Sequence, residues 1–388
     1  MQSHTDILKA LVAFDTVSRN SNLPLIAWIE DYLASFGIES RRVYDETGQK
    51  ANLWATIGPD GPDGVILSGH TDVVPVDGQD WATDPFDLTE VDGSLYGRGA
   101  CDMKGFVACV LASVPAMVRA NLRRPIHLAF SYDEEVGCIG VRTLLADLRD
   151  KGQQATACIV GEPTEMQVVI GHKSKKSMLC EVTGKTAHSS LAPQGVNAAD
   201  YAAMLVVKIR EMADRLATNG KRDSLYDVPF TTGHTGIFAS GTALNIVPES
   251  ARVEFEFRAI AEDDAAALVD EVIAYARDTL EPRMKAVAPE TGFAFTEKSY
   301  ITGLETEPDA PVVAYGKRLA KRNDHAKVAY GTEGGLFTAY LGVPTIVCGP
   351  GSIEQAHKAN EFVPIGELDR CMAFLADLTA DMSGELAA

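Results

Sequence analysis

"GVILSGHTD", residues 64–72, follows a Pro/Gly/Asp turn, runs through a short apolar stretch and ends on a histidine and an aspartate two positions apart. A run this short, opened by turn residues, predicts a strand rather than a helix. "NLWATIG" (52–58) has the same form on the other side of the turn, and "PIHLAFSYDE" (125–134), "TACIVGEP" (156–163) and "PTIVCG" (344–349) repeat it further along. Helical spacing fills the gaps. It is read in "LIAWIEDYLASFG" (25–37), where Gly37 is the stop, and over 103–120, 139–150, 310–321, 335–341 and 366–381, with a further short strand at 327–330. Short apolar strands alternating with helices predict an α/β fold, a mostly parallel sheet with helices on its faces.

From residue 176 the rhythm changes. A strand at 177–183, a helix at 196–217, strands at 234–239 and 244–258, a helix at 263–281 and a strand at 290–297 give the order βαββαβ, a ferredoxin-like unit in its own right. At 388 residues the chain exceeds what one core usually serves. The expected organisation is an α/β domain from residues 1–175 and 299–388, interrupted by an inserted domain over 176–298.

Composition narrows the partners. With 46% hydrophobic and 23% charged residues the chain has the make-up of a globular protein. No apolar run approaches the roughly 18 residues of a membrane span, and "MQSHTDILKALVAFDTVSRN" lacks the order of a signal peptide, so the expected location is the cytoplasm and no membrane contact is expected. The seven cysteines are scattered and free of C-x-x-C spacing, which argues for reduced thiols and against a cysteine-built zinc site. A formal net charge of −19 without a basic stripe excludes nucleic acid as a partner, because phosphate binding depends on Lys and Arg.

In open α/β sheets ligands gather at the carboxyl ends of the strands. Those ends carry His70 and Asp72, Glu134 and Glu135, and Glu162; His357 follows the glycine turn of "CGPGSIEQAHKANE". Asp102 lies in "GRGACDMKG" (97–105), at the entrance of a helix. Two readings of it stand side by side: a helix N-cap accepting an orphan backbone N–H, or a metal ligand around which the glycines let the chain bend. Histidines and carboxylates from separate segments on one rim are what a divalent metal site needs. His70 and Asp72 would share one side of an extended chain, so Asp72 could accept the ring N–H that a ligating histidine donates. Glu134 and Glu135, as strand neighbours, would point opposite ways and do different work. Competing chemistries lack their signatures: there is no G-x-x-x-x-G-K-[ST], no complete G-x-G-x-x-G and no G-x-S-x-G. His188 beside Ser189 in "TAHSS" is adjacency in sequence, which does not make a catalytic dyad.

"SGHTDVVP", "GRGACDMKG", "DEEVG", "GEPT", "TAHSS" and "GPGSIEQAH" together resemble, over essentially the whole chain, the dinuclear zinc amidohydrolases of the M20 metallopeptidase family. The resemblance implies a zinc-peptidase-like catalytic domain binding two Zn2+ per subunit, with Co2+ able to substitute. His70 and Glu162 would hold one ion, Glu135 and His357 the other, and Asp102 would bridge them. Asp72 would orient His70, and Glu134 would be the general base. The inserted domain would form a homodimer, with His188 reaching the other subunit's site to steady an oxyanion. Asn245 in "ALNIVPE" and Arg258 in "FEFRAI" match substrate-contacting positions. "CDMKG", "GEPT" and "GHK" (171–173) imply the branch that hydrolyses N2-acetyl-L-ornithine to L-ornithine and acetate in arginine biosynthesis. Ser174 stands where a glycine would be expected, which marks 172–176 as the place where the substrate pocket could differ. Succinyl-diaminopimelate desuccinylase, another N-acyl-amino-acid amidohydrolase, and a metal-binding homologue without turnover are the alternatives.

Overall fold

Four strands, Ile126–Ser131, Val65–His70, Ala157–Pro163 and Thr345–Gly349, run parallel in that order through the middle of the larger sheet. Every residue in them is buried. Burial on both faces explains why they read as continuous apolar runs rather than alternating ones. Their register aligns the carboxyl ends: His70 pairs with Ser131, Val160 with both Ser68 and Val347, and Gly349 with Pro163. The flanks are antiparallel, with Ala51–Ile57 and Ser40–Tyr44 on one side and Val169–His172 on the other, so the sheet is mixed around a parallel centre.

This computed structural model describes residues 2–384, and they fall into two units. The larger unit comprises the chain up to Gly171, Leu304–Lys327 and the segment from Thr332 onward; the other is His172–Gly303 with Val328–Gly331. Helix Lys104–Arg119 is the central piece of the larger core. It is apolar on all sides and packs against strand Val65–His70 as well as helices His4–Val12 and Ile365–Ser383. Gly161 makes room for it, since a Cβ there would lie 2.0 Å from the Phe106 ring. Lys104 is buried and donates from Nζ to the carbonyls of Leu11 (3.1 Å) and Phe14 (2.9 Å), satisfying the end of helix His4–Val12. All seven cysteines are buried and free.

The second unit is an antiparallel sheet in the order Thr232–Ser240, Ser250–Ala259, Ser174–Thr183, Gly292–Ile301, with helices Ala198–Asn219 and Ala265–Ala274 packed on it. Its core is separate, built around Phe255, Phe257, Leu205, Ile209 and Val269.

Several expectations need correcting. The strand expected over 244–258 begins at Ser250, because Val247 N–H bonds to Ala187 and Pro248 has no N–H to offer a ladder. The strand expected to 134 ends at Ser131, and Glu134 and Glu135 lie in the turn beyond it. The helix expected over 263–281 contains a π-helical turn, Tyr275–Leu280, and continues to Lys285. Asp102 is not a helix cap: Met103 holds that position, without a side-chain bond.

His127, in strand Ile126–Ser131, stacks on Trp54 with ring centroids 4.9 Å apart. Its Nε2 faces the Gln153 amide nitrogen at 3.4 Å and its Nδ1 faces the Thr56 hydroxyl at 3.0 Å, an arrangement for a neutral ring. Burial pushes its pKa down to about 4. The unfolded chain therefore takes up a proton below the ordinary value near 6.5 that the folded protein refuses, and stability falls as pH drops from about 6.5 towards 4. The expected loss between pH 7 and 5 from this residue is on the order of 2 kcal/mol. Urea midpoints at the two pH values should fall further apart for the native protein than for His127→Gln.

Candidate metal centre

The parallel register delivers four acidic or imidazole-bearing segments to one rim. His70 ends its strand, Glu162 nearly ends the next, Glu134 and Glu135 follow Ser131, and His357 follows the Gly349 turn. Asp102 comes from the loop ahead of helix Lys104–Arg119. Gly99 in that loop has φ +78°, and a Cβ on it would lie 2.5 Å from Val73 Cγ1, so the tight passage accepts only glycine.

Asp102 divides its carboxylate between two imidazoles. Oδ1 lies 3.0 Å from His70 Nε2, and Oδ2 lies 3.2 Å from His357 Nε2. His70 Nε2 is also 3.8 Å from Glu162, and His357 Nε2 is 3.0 Å from Glu135. Two overlapping groups result, His70–Asp102–Glu162 and Asp102–Glu135–His357, each with its ligand atoms within 4.8 Å of one another.

The electrostatics show what this cluster lacks. Burial pushes the carboxyl of Glu134 up to about 8 and that of Glu135 to about 7, and neighbouring carboxylates add to both. Glu162 is raised well above its ordinary value by burial and then by the charge on Asp102. Burial acts the same way on Asp102, but its bonds to His357 and His70 outweigh it and hold the group below the usual carboxylate range. His357 is raised to about 10 by its bonds to Asp102 and Glu135. Burial alone would lower His70, yet its bond to Asp102 and the nearby acids carry it well above 6.5. The site is short of positive charge, and its nitrogen and oxygen donors fit divalent cations such as zinc.

Asp72 does a different job from the one its spacing suggested. The Nδ1–H of His70 is taken by the backbone carbonyl of Asp72 at 2.9 Å, whereas the Asp72 carboxylate stands at 3.6 Å. That carboxylate accepts instead from Glu134 N–H (3.0 Å), Glu135 N–H (3.3 Å) and the Ser18 hydroxyl (2.7 Å). It fixes the turn on which both glutamates sit. From there the two part, Glu134 accepting from the Cys138 thiol at 3.0 Å while Glu135 faces His357.

Sequence reasoning passed over two buried acids. Glu361, four residues past His357, accepts from Arg98 (2.7 Å), Gly99 N–H (3.0 Å), Cys101 N–H (2.9 Å) and Asp102 N–H (3.0 Å). Glu333 accepts from the hydroxyls of Ser68 and Ser131, beneath the rim. Arg98 and Glu361 both stood in quoted motifs, and a charged pair inside glycine-rich turns was the available signal.

His188, Asn245 and Arg258 belong to the second unit. His188 Nδ1 accepts from Ser190 N–H at 3.2 Å and lies 2.8 Å from the Ser190 hydroxyl. Asn245 sits beside it, its carbonyl accepting from Ser189 N–H at 3.0 Å. Arg258, on strand Ser250–Ala259, donates to Glu256 at 2.8 Å and to the Ala329 carbonyl at 3.4 Å.

The sequence profile of peptidase family M20/M25/M40 matches residues 66–381. The chain is 35% identical to an acetylornithine deacetylase of Myxococcus xanthus, with 97% of each chain covered. It is 33% identical to an acetylornithine deacetylase of Proteus mirabilis, over 97% of this chain and 92% of that one. Among solved structures it is similar to the M20 family metallo-carboxypeptidase Sso-CP2 of Sulfolobus solfataricus (TM-score 0.75, 18% identity, 99% and 100% covered). It is also similar to human carnosine dipeptidase 1 (TM-score 0.72, 17% identity, 98% and 97% covered).

Asp72→Ala would leave two N–H groups and a hydroxyl without their acceptor. A loss of at least about 1–3 kcal/mol is expected, read as a lower urea midpoint, and Asp72→Asn, which keeps one acceptor oxygen, should lose less.

Proposed function

The chain belongs to peptidase family M20/M25/M40, and from that premise we propose that it hydrolyses N2-acetyl-L-ornithine to L-ornithine and acetate, a step of arginine biosynthesis. The observation that carries this reading is Asp102 shared between two ligand groups, with Glu134 beside them and outside both. The acetylornithine deacetylases at 30–35% identity over nearly full length favour the substrate.

His70 and Glu162 would hold one ion, Glu135 and His357 a second, and Asp102 would serve both; zinc suits the donors, with cobalt as a substitute. Two divalent ions, once held, supply Lewis acidity toward water and toward the amide carbonyl. Glu134 takes the proton from the attacking water and returns it to the departing amine. His188 steadies the oxyanion, and Asn245 and Arg258 contact substrate.

The second unit is the dimerisation domain in this reading. Among the described residues its edge strand Thr232–Ser240 is paired on one side only, with Ile237 and Phe238 nearly half exposed and Leu244 and Ile246 in the turn beyond. The cytoplasm is the proposed compartment, which agrees with seven unpaired thiols.

The deciding experiment is hydrolysis of N2-acetyl-L-ornithine beside N-succinyl-L,L-diaminopimelate and N-acetyl-L-methionine, by protein stripped with chelator and restored with zinc or cobalt. Metal-dependent release of ornithine, well above the other two, is expected; preference for another member of the panel would overturn the substrate. Glu134→Ala should lose about 10²–10⁴-fold in turnover while keeping its metal, and loss of both would transfer the base role to Glu135. Mixed Glu134→Ala and His188→Ala proteins should recover part of the activity if His188 works across a dimer.

A further inference from the structure

Glu361 and Arg98 are both fully buried, 1% and 0% exposed, in a protein where such charges need strong compensation. Their bonds lead to the candidate metal centre by two routes. One oxygen of Glu361 accepts from Cys101 and Asp102 N–H, and the other from Gly99 N–H and Arg98, so the acid clasps the loop that presents Asp102. Arg98 also donates to Gln79 Oε1 and lies over the Trp81 ring at 5.0 Å. The Gln79 amide in turn donates to the His357 carbonyl at 3.1 Å.

The two ligand groups depend on this network unequally. His70 and Glu162 lie on neighbouring sheet strands, whose register holds them independently. His357 is on the connection between Gly349 and Phe362, with φ +62° and its side chain half exposed. Its connection is tied at Gln79–His357, at Ala82 N–H to Asn360 Oδ1 (2.8 Å), and at Gly97 N–H to the Glu361 carbonyl (3.0 Å).

We infer that Glu361, Arg98 and Gln79 are positioning residues for the centre that bear unequally on its halves: the grip on the Asp102 loop reaches both groups, and the ties to the His357 segment add to it for Asp102–Glu135–His357, whose affinity for its ion they chiefly set. This rests on the two-ion reading proposed above. A purely structural role for the buried pair would lower stability and shift both ions together.

The test titrates chelator-stripped, full-length protein with Zn2+ against a chromophoric competitor. The native protein should show two binding steps. Glu361→Gln, which keeps the shape but removes the charge, should weaken one step by about 10–100-fold and the other by clearly less. Gln79→Ala leaves the Glu361–Arg98 pair and its hold on the Asp102 loop in place while removing one Arg98 partner and the tie to the His357 carbonyl, and it should weaken the same step, which decides the matter if Glu361→Gln does not fold. Two steps that stay unchanged, or weaken equally, in folded variants would overturn the inference alone. A native protein with only one step would overturn the two-ion reading and the inference with it.

Discussion

Asp102 faces two imidazoles with two different oxygens, and the arrangement of the larger unit serves that division. A carboxylate can be shared only if its backbone is held against the repulsion of Glu134, Glu135 and Glu162 crowding the same rim. The Gly99 passage and the grip of Glu361 on the loop provide that restraint. Aligned parallel strands bring the remaining donors to it, since their register fixes where each one ends.

Charge explains why the neighbourhood is so heavily braced. Buried acids without enough positive charge push each other's protonation upward, and each must be held by partners outside the cluster. Asp72 holds the Glu134–Glu135 turn through two backbone N–H groups. Lys50 holds the residue before it, donating to both oxygens of Asp133 at 2.5 and 2.7 Å. Ser68 and Ser131 hold Glu333 under the strands that end in His70 and lead to Glu134. These residues touch no ligand atom of the two groups, yet the geometry of those groups rests on them.

Much of this was legible in the sequence, and the reason is periodicity. Buried parallel strands are unbroken apolar runs, so "VILSGH" and "ACIVGE" declared both their conformation and the residues at their ends. What stayed hidden depends on contacts distant in sequence. The bond of His70 to the Asp72 carbonyl, in place of its carboxylate, is decided by how the chain turns after the strand. Glu361 and Asp102 lie 259 positions apart, and no local pattern marks them as partners. Short elements escaped for a related reason: Ser40–Tyr44 and Thr89–Val91 are half exposed and too brief to show a period.

The strand Thr345–Gly349 lies between Ala157–Pro163 and Val169–His172, although the chain makes it almost two hundred residues after the first of them. During synthesis the ribosome therefore releases Ala157–Pro163 with one edge open and keeps it so while the whole second unit emerges. That unit, His172–Gly303 with Val328–Gly331, is made in full before Thr345–Gly349 and can fold first. Until Thr345–Gly349 is made the larger unit is an incomplete sheet whose open edge invites wrong pairing, and the segment bearing His357 follows later still. The order of manufacture thus leaves strands made before the second unit to be completed after it.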